Sequence, residues 1–465
     1  MLFFRQYYLG CLSHASYLVG DTSTGRAVVV DPQRDVDQYL EDADAHGLTI
    51  VHVIETHFHA DFLSGHLEIA ERTGASIVYG RAAEGSTQFP IDTVADGDVI
   101  ELGDVVLRIL ETPGHTPESI SIVVHPNGID SVPEGVLTGD TLFIGDVGRP
   151  DLLSSVGRTA DELAGQLYRS LRDKLLTLPD EAKVWPAHGA GSACGKHLST
   201  ETVSTIGEQR RTNYALAPMS EAQFVDAVTQ GQSVAPMYFS YAASQNRLQH
   251  ELFHDEELRQ LTLPEVLELQ RDGAVVLDSR EHSVFAAGHL RGSVNVGLGG
   301  RFAEYAGEVM RAGTPIVLVA EPGTEDEART RLGRIGFDKV VGVLADPWHA
   351  FVDHPEHVDR LSRLSVPAFE TLRRDTPDLD VIDVRNPGEV EAGTIPGARA
   401  MSLPSLLERV DELDRDAPTV VYCAGGYRSS IAASLLRSHG FTDVSDLIGG
   451  YTAWSTTGSG GSSVA

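Results

Sequence analysis

Short apolar runs alternate with stretches of helical spacing over roughly the first 200 residues. Apolar positions from 36 to 43 recur at helical spacing, and Gly47 follows them as a stop signal. Runs rich in β-branched residues predict buried strands at 27–30, 49–54, 105–110 and 135–137. Polar residues collect directly after these strands. We expect the chemistry of a layered α/β protein there, because strand ends are rigid and the loops beyond them are open.

The second half of the chain contains an internal repeat. Residues 277–292 match 382–397, each with an apolar strand, an Asp-x-Arg triplet and a later Gly-x-x-x-Gly. Each copy closes on a tryptophan, Trp348 or Trp454. A shared module of roughly 100 residues explains this pattern. The predicted organisation is a first domain at 1–244, a polar linker or connecting helix at 245–257, two modules at 258–356 and 364–456, and a flexible Gly/Ser-rich tail at 457–465.

Four histidines and two aspartates form the strongest chemical pattern in the chain. They are His57, His59, Asp61, His115, Asp140 and His188. Each lies just after a predicted strand, in a segment where a tight turn can bring it to its neighbours. Imidazole and carboxylate groups suit zinc or iron, so the residues alone predict a metal site and leave the choice of metal open.

These motifs resemble the metallo-β-lactamase fold, a four-layer αββα sandwich, over about residues 1–240. Thr-His-Phe-His-Ala-Asp, Thr-Pro-Gly-His-Thr, Thr-Gly-Asp and Trp-Pro-Ala-His occur in that order. Hydrolases of the fold usually carry a histidine directly after the first aspartate, as part of a second metal site. Phe62 stands at that position. Because a phenyl ring cannot ligate a metal, the resemblance to two-metal hydrolases is incomplete.

The persulfide dioxygenase branch of that fold is a closer resemblance, and 139–151 matches it as well. The resemblance implies one Fe(II) per chain and no organic cofactor. Its ligands would be His57, His115 and Asp140, a facial triad that leaves open positions for a persulfide sulfur and O2. The positions that would orient ligands or substrate by hydrogen bonds are His59, Asp61 and His188. Arg149 either pairs with Asp151 and braces the loop or faces the substrate.

The segment from Cys423 to Ser429 follows an apolar strand and runs into a helical stretch. It resembles the active loop of rhodanese sulfurtransferases, in which glycine-rich backbone N–H groups and a helix N-terminus stabilise a cysteine persulfide. The resemblance implies that Cys423 carries sulfur and that Arg428 attracts an anionic donor. The remaining loop positions predicted to contact substrate are Gly425, Gly426, Tyr427 and Ser429.

The first copy of the repeat has no thiol at the matching position. We align Val319 with Cys423, and glutamates follow it. This copy is therefore predicted to be an inactive rhodanese-like domain with a packing or assembly role, or with weak ligand binding. The expected fold is an αββα sandwich followed by two rhodanese-like α/β domains with parallel sheets.

The chain has three cysteines, too few and odd in number for a disulfide framework. We therefore expect reduced thiols in a cytoplasmic protein. Cys194 follows His188 closely, where the related dioxygenase–sulfurtransferases also carry cysteine. It either relays or binds sulfur as a catalytic residue, or is an inert loop thiol. Cys11 lies in an apolar segment and is predicted to be a core or near-core residue.

Charge and hydropathy exclude several classes of partner. The chain has 36 basic and 67 acidic residues and a formal net charge of −31. Such a field repels nucleic acid and anionic membranes, so neither is expected as a partner. The chain lacks an uninterrupted apolar stretch of about 18 residues and a basic start followed by an apolar run, so it is expected to be neither secreted nor membrane-spanning.

The resemblances together imply a persulfide dioxygenase–sulfurtransferase of bacterial sulfide detoxification, expected as a homo-oligomer. Its substrates would be a low-molecular-weight thiol persulfide and O2, its oxidation product sulfite. Cys423 would move sulfane sulfur to sulfite, giving thiosulfate, or from thiosulfate to a thiol. One alternative is a zinc-dependent thioester hydrolase of the glyoxalase type fused to a sulfurtransferase. Another is a non-catalytic sulfur-carrier or sensing module.

Overall fold

The computed structural model describes residues 1–152, 158–253 and 257–457. The chain forms two compact units. The first comprises Met1–Gln232, Phe239–His254 and Gly333–Gly336, and the second Ser233–Tyr238, Asp255–Leu332 and Phe337–Ala465. None of the helices in the described ranges combines the length and apolar character needed to cross a membrane. Apart from Thr457, the predicted tail at 457–465 lies outside the described residues.

Two six-stranded sheets form the centre of the first unit. The first sheet contains, in spatial order, β1 (Leu2–Leu9), β2 (His14–Asp21), β3 (Arg26–Val30), β4 (Thr49–Ile54), β5 (Ser76–Gly80) and β6 (Asp92–Val94). The second contains β7 (Val99–Glu101), β8 (Val106–Glu111), β9 (Ile120–His125), β10 (Gly135–Gly139), β11 (Lys183–Pro186) and β12 (Ser204–Thr205). Strands β3 to β6 are parallel, whereas β7 to β10 are antiparallel. The four strands predicted from the sequence are therefore confirmed as β3, β4, β8 and β10.

Helices cover the outer face of each sheet. They are α1 (Asp37–Ala45), α2 (His66–Thr73), α3 (Ala160–Asp173), α4 (Ile206–Thr212) and α5 (Glu221–Thr229), and α6 (Tyr238–Gln245) follows them in the chain. Tyr39 of α1 packs in one core on the first sheet, and Leu167 of α3 packs in another on the second. A third core lies between the sheets, where Val28 and Ile54 meet Ile122. These three buried layers confirm the αββα sandwich.

The second unit contains the two copies of the repeat. The first copy has the strands β13 (Gln260–Leu261), β14 (Val275–Asp278), β15 (His289–Leu290), β16 (Val294–Asn295), β17 (Ile316–Val319), β18 (Val340–Leu344) and β19 (Val358–Asp359). Its helices are α7 (Leu263–Arg271), α8 (His282–Ala287), α9 (Phe302–Val309), α10 (Glu325–Gly333) and α11 (Pro347–Asp353). Its main sheet has the order β13-β18-β17-β14-β16 and is parallel throughout.

The second copy has the same plan. Its strands are β20 (Ser362–Leu364), β21 (Asp380–Asp383), β22 (Arg399–Ala400), β23 (Thr419–Tyr422) and β24 (Val444–Leu447). Its helices are α12 (Val366–Asp375), α13 (Pro387–Glu391), α14 (Leu403–Arg409), α15 (Tyr427–Ser438) and α16 (Gly450–Thr456). The order β20-β24-β23-β21-β22, again parallel, matches the first copy strand for strand. The predicted repeat and its parallel sheets are confirmed.

Strand register corrects the predicted counterpart of Cys423. Asp278 pairs with Val319 in the first copy, whereas the equivalent Asp383 pairs with Tyr422 in the second. Val319 therefore corresponds to Tyr422, and the residue in place of Cys423 is Ala320. The sequence alignment erred because it placed a one-residue gap before the strand, whereas the paired strands require a gap of two residues there and a compensating gap of one residue in the loop that follows. The conclusion that this copy lacks a thiol stands.

Candidate metal centre and cysteine loop

Three predicted ligands meet at one edge of the sandwich in the first unit. His57, His115 and Asp140 follow β4, β8 and β10, and their donor atoms lie within 4.8 Å of one another. Asp140 Oδ2 is 3.8 Å from His57 Nε2 and 3.5 Å from His115 Nε2. This oxygen is buried and has no hydrogen-bond partner in the described chain. A buried carboxylate oxygen facing two imidazole nitrogens at these distances fits a single cation between them.

Hydrogen bonds fix which nitrogen of each imidazole faces that position. Thr56 Oγ1 donates to Asp31 Oδ2 at 2.8 Å, so it accepts from His57 Nδ1 at 2.9 Å. His115 Nδ1 donates to the carbonyl oxygen of Arg149 at 2.8 Å. Both Nε2 atoms are thereby left with a lone pair for a metal. Burial and the neighbouring imidazoles hold the pKa of His57 well below its ordinary value, which keeps this ligand neutral.

His188 bridges two carboxylates beside the ligands. Its Nδ1 lies 2.7 Å from Asp140 Oδ1 and its Nε2 lies 2.7 Å from Asp61 Oδ2. Burial opposes a charge on this ring, but the two carboxylates outweigh it and raise the pKa of His188 well above its ordinary value. Burial likewise opposes ionisation of Asp140, and the charge of His188 nevertheless lowers the pKa of that carboxyl. His188 therefore keeps Asp140 ionised and fixes the direction of its free oxygen.

His59 turns away from the three ligands. Its Nε2 lies 3.1 Å from Asp31 Oδ1 and 3.3 Å from Glu55 Oε2. Burial opposes protonation, but these carboxylates raise the pKa of His59 to about 10. Asp31 adopts a left-handed φ of 50°, a strained conformation for a residue with a side chain, and its carboxylate accepts the Thr56 N–H at 2.7 Å. His59 is thus connected to His57 through Asp31 and Thr56.

Phe62 occupies the place of the missing second-site histidine. It is 1% exposed and packs against His14 and His59, with ring centroids 4.1 and 4.3 Å away. Asn246 donates to the carbonyl oxygens of His59 and Phe62, both at 2.8 Å, and so holds this turn. Both ring nitrogens of His14 are buried without a hydrogen-bond partner in the described ranges. A hydrocarbon ring, not a ligand, fills this side of the centre.

Arg149 and Cys194 border the centre. The guanidinium of Arg149 binds both oxygens of Asp151, at 2.8 and 2.7 Å, which is the bracing arrangement. Cys194 is buried, with its sulfur in one cluster with Asp61 and His188. Burial, assisted by the nearby carboxylates, raises the pKa of the Cys194 thiol well above its ordinary value. A neutral thiol is a weak nucleophile at neutral pH. The remaining cysteine, Cys11, is partly buried in the turn between β1 and β2.

In the second unit, the Cys423 sulfur accepts a hydrogen bond from one loop amide and donates one to a hydroxyl of the same loop. Gly426 N–H donates to Cys423 Sγ at 3.1 Å, and Ser429 Oγ lies 3.6 Å from it. Gly426 has a φ of 107° and directly precedes α15, so the loop needs glycine there. Gly425 occupies the same turn and has open space beside it. The N-terminus of α15 and this N–H are suited to hold an anionic sulfur.

Arg428 and Tyr427 have partners within the second unit. Arg428 forms a bidentate ion pair with Glu389, at 2.7 and 2.8 Å. The Tyr427 hydroxyl donates to the carbonyl oxygen of Gly297 at 2.6 Å, in the first copy of the repeat. The Tyr427 hydroxyl thus anchors the loop to the first copy, and its contact with substrate stays a prediction. The sequence carried no signal for this anchor because the contact joins residues far apart in the chain.

Sequence reasoning missed three polar residues that support the ligands. Asp31, Glu55 and Thr56 hold His57 and His59, as described above. Thr56 is the first residue of the first motif, Glu55 directly precedes it, and Asp31 follows β3 at an Asp-Pro dipeptide. The available signal was Asp31, a polar residue directly after β3. It lies near the first motif because β3 pairs with β4 in the sheet.

Fold and site together define a metalloprotein of the metallo-β-lactamase type joined to two rhodanese-type modules. The metallo-beta-lactamase superfamily model matches residues 9–188, and the rhodanese-like domain model matches 262–354 and 368–457. The chain belongs to the metallo-β-lactamase superfamily, with persulfide dioxygenase homologues and two C-terminal rhodanese-like domains. The predicted fusion is thereby confirmed.

Individual relatives support the same assignment. The mitochondrial persulfide dioxygenase ETHE1 of Bos taurus is 30% identical over 237 residues, which cover 50% of this chain and 82% of the relative. The cytoplasmic hydroxyacylglutathione hydrolase of Arabidopsis thaliana is 34% identical over 184 residues, 39% of this chain and 66% of the relative. The crystal structure of a metallo-beta-lactamase from Staphylococcus aureus matches with a TM-score of 0.67 and 34% identity, over 74% of this chain and 98% of that one.

Proposed function

We propose that the first unit oxidises the outer sulfur of a low-molecular-weight thiol persulfide at a single Fe(II). Persulfide, O2 and water would become thiol, sulfite and two protons. Both atoms of O2 end on the outer sulfur, water supplies the third oxygen, and the sulfur–sulfur bond breaks. The Cys423 domain would then transfer sulfane sulfur in the detoxification of sulfide.

The observation that carries this proposal is the set of three converging donor atoms. Two imidazoles and one carboxylate, His57, His115 and Asp140, are the donor set of mononuclear non-haem iron sites. Phe62 supports a single metal because it removes a ligand that a second metal would need. Bound there, Fe(II) would supply open coordination positions for a sulfur ligand and for O2.

The chain's own residues hold this site in a fixed charge state. Thr56 and the Arg149 carbonyl keep the imidazole lone pairs directed at the metal position. The His188 charge offsets the carboxylates of Asp61 and Asp140, which would otherwise repel an anionic persulfide. All three candidate ligands are buried, so bulk solvent does not compete freely for the metal position.

For the second unit, we infer a half-reaction at Cys423. A Cys423 persulfide gives its outer sulfur to sulfite, which forms thiosulfate and regenerates the thiolate, or the same steps run from thiosulfate to a thiol. The Gly426 N–H and the start of α15 stabilise the anionic sulfur in either direction. Glu389 orients the Arg428 guanidinium through a bidentate ion pair and balances its charge.

The test is anaerobic reconstitution of the full chain with Fe(II), followed by oxygen uptake and sulfite analysis with glutathione persulfide as the probe. We expect uptake of one O2 per sulfite formed, and loss of uptake in His115→Ala. Cys423→Ser should retain uptake and lose sulfur transfer from thiosulfate to cyanide. No uptake with Fe(II), together with zinc-dependent hydrolysis of a glutathione thioester, would establish the hydrolase alternative instead.

A further inference from the structure

The second unit contains a cavity of about 610 Å³ in the copy that lacks a thiol. It lies beyond the carboxyl ends of β14, β16 and β17, the edge where open parallel sheets bind ligands. In the second copy, the same edge carries Cys423. Its counterpart here is Ala320, so the first copy retains a pocket without a nucleophile. The volume falls within the range of small-molecule sites.

Both guanidinium groups that line the cavity are already neutralised. Arg280 binds Asp278 through two nitrogens, at 2.9 and 2.5 Å. Arg301 pairs with Glu304. The Glu321 carboxylate, in contrast, forms no hydrogen bond or ion pair within the described residues. The uncompensated charge at the lining is therefore negative.

Three of the hydrogen-bond donors at this edge are also occupied. The Tyr427 hydroxyl donates to Gly297, and the Thr324 hydroxyl donates to the Glu321 carbonyl oxygen. The loop amide of Gly323, which corresponds to an amide of the sulfur-binding loop, donates to the Glu325 carboxylate at 2.7 Å. The Arg280 Nη1 atom is buried without a hydrogen-bond partner within the described residues, but Asp278 balances the charge of its guanidinium. An anionic ligand would therefore find no uncompensated cation among the described lining residues.

Two aromatic rings complete the lining. Tyr305 and Tyr427 lie with ring centroids 5.4 Å apart at an angle of 60°. The faces of such rings attract cations, and the guanidinium of Arg301 already lies 5.5 Å from the Tyr305 centroid. Aromatic faces beside a free carboxylate form a site for a positively charged group with an apolar body.

We propose that this cavity binds an organic cation, an amine attached to an apolar body, with the amine near Glu321 and the body against Tyr305 and Tyr427. The inactive copy is then a binding module, not only a packing element. The inference stands apart from the proposed persulfide oxidation, since it requires neither iron nor Cys423 chemistry.

The test uses phenethylamine and phenylacetate, two probes of similar size and opposite charge, in calorimetric titrations of the full-length Cys423→Ser chain. We expect saturable binding of phenethylamine and at least about tenfold weaker binding of phenylacetate. Glu321→Gln, which keeps the shape and removes the charge, should weaken phenethylamine binding at least about fivefold. Glu408→Gln is the matched control on the exposed face of α14 and should leave the affinity unchanged.

A second variant tests the aromatic lining. Tyr305→Leu keeps an apolar wall and removes the ring face, so phenethylamine binding should weaken while the unfolding midpoint changes little. Equal binding of both probes, no binding of either, or full affinity in Glu321→Gln would overturn the proposal. Loss of oxygen uptake in any of these variants is not expected, so a failure of the persulfide proposal would be recognised separately.

Discussion

The hydroxyl of Thr56 offers a direct test of how the metal ligands are held. In Thr56→Val the side chain keeps its shape and loses the oxygen that accepts from His57 Nδ1 and donates to Asp31 Oδ2. His57 could then adopt the other tautomer, with its proton at the metal position. Metal-bound histidines depend on such partners, and removing one typically weakens metal binding about 10- to 100-fold.

The magnitude follows from two buried groups that lose their partner. Each unsatisfied buried polar group costs about 1–3 kcal/mol. His57 and Asp31 are both 1% exposed, so the metal-free fold of Thr56→Val should lose about 2–6 kcal/mol. The loss of metal affinity, about 10- to 100-fold, corresponds to a further ~1.4–2.8 kcal/mol that appears only when metal is present.

The assay measures both quantities in one preparation. Chelator competition gives the affinity for Fe(II) under anaerobic conditions, and denaturant unfolding with and without metal gives the stability. Thr73→Val is the matched control, because Thr73 Oγ1 also makes two hydrogen bonds, to the Ile69 carbonyl and from the Ala75 N–H, away from the ligands. Destabilisation of Thr56→Val with unchanged metal affinity would refute the reasoning, since the hydroxyl would then act only on the fold.

Three further predictions concern other parts of the chain. Burial, with the nearby Glu304 carboxylate, raises the pKa of Glu308 from about 4.5 to about 8. Stability of the second unit should therefore fall by up to ~4 kcal/mol as pH rises between these values, and Glu308→Gln should remove that dependence in unfolding measurements. Gly450→Ala should abolish sulfur transfer and spare oxygen uptake, because its Cβ would lie 2.1 Å from the Cys423 carbonyl oxygen. Arg149→Lys should lower the melting temperature and metal retention without raising the KM for persulfide, because Lys cannot bind both oxygens of Asp151.

Each of these has a control in the same chain. The Cβ added by Gly440→Ala would have no atom within 4 Å, and Gly440 has a similarly left-handed φ of 90°. This variant should therefore keep sulfur transfer. Glu408→Gln should retain the pH dependence that Glu308→Gln removes. A raised KM in Arg149→Lys with normal metal retention would instead place Arg149 against the substrate. The loss of stability with rising pH follows from the protonation of Glu308. The folded chain holds its proton up to about pH 8, while the unfolded chain releases it near 4.5.

The sequence was sufficient to select the three candidate ligands because each lies in a short motif after a strand. The motifs predicted a metal site, the resemblance to persulfide dioxygenases singled out His57, His115 and Asp140, and the structure brings their donor atoms together from two sheets. The supporting triad of Asp31, Glu55 and His59 was not predictable in the same way. It depends on the parallel pairing of β3 with β4, which places Val30 beside Ile54 and so brings the residues after them together.

The counterpart of Cys423 shows a different limit of sequence reasoning. Loop lengths vary between copies of a module, so an alignment of two short loops cannot decide where a gap falls. The register of the hydrogen-bonded strands decides where the gap falls, and it identifies Ala320 as the counterpart of Cys423. The cavity beside Ala320 was also beyond the sequence, because its lining comes from several separate loops and from Tyr427 of the other copy.

Comparison of the two copies distinguishes residues that the fold requires from residues that sulfur transfer requires. Arg385 Nε lies 2.9 Å from Asp383 Oδ1, and Arg280 Nε lies 2.9 Å from Asp278 Oδ1. The copy without a thiol keeps this buried pair, so sulfur transfer cannot be what requires it there. Removing one partner of a buried ion pair costs about 3–5 kcal/mol, whereas losing the thiol costs the fold little. The Asp-x-Arg triplet is thus a structural brace in both copies, and the two copies differ at the position of Cys423, where the first has Ala320.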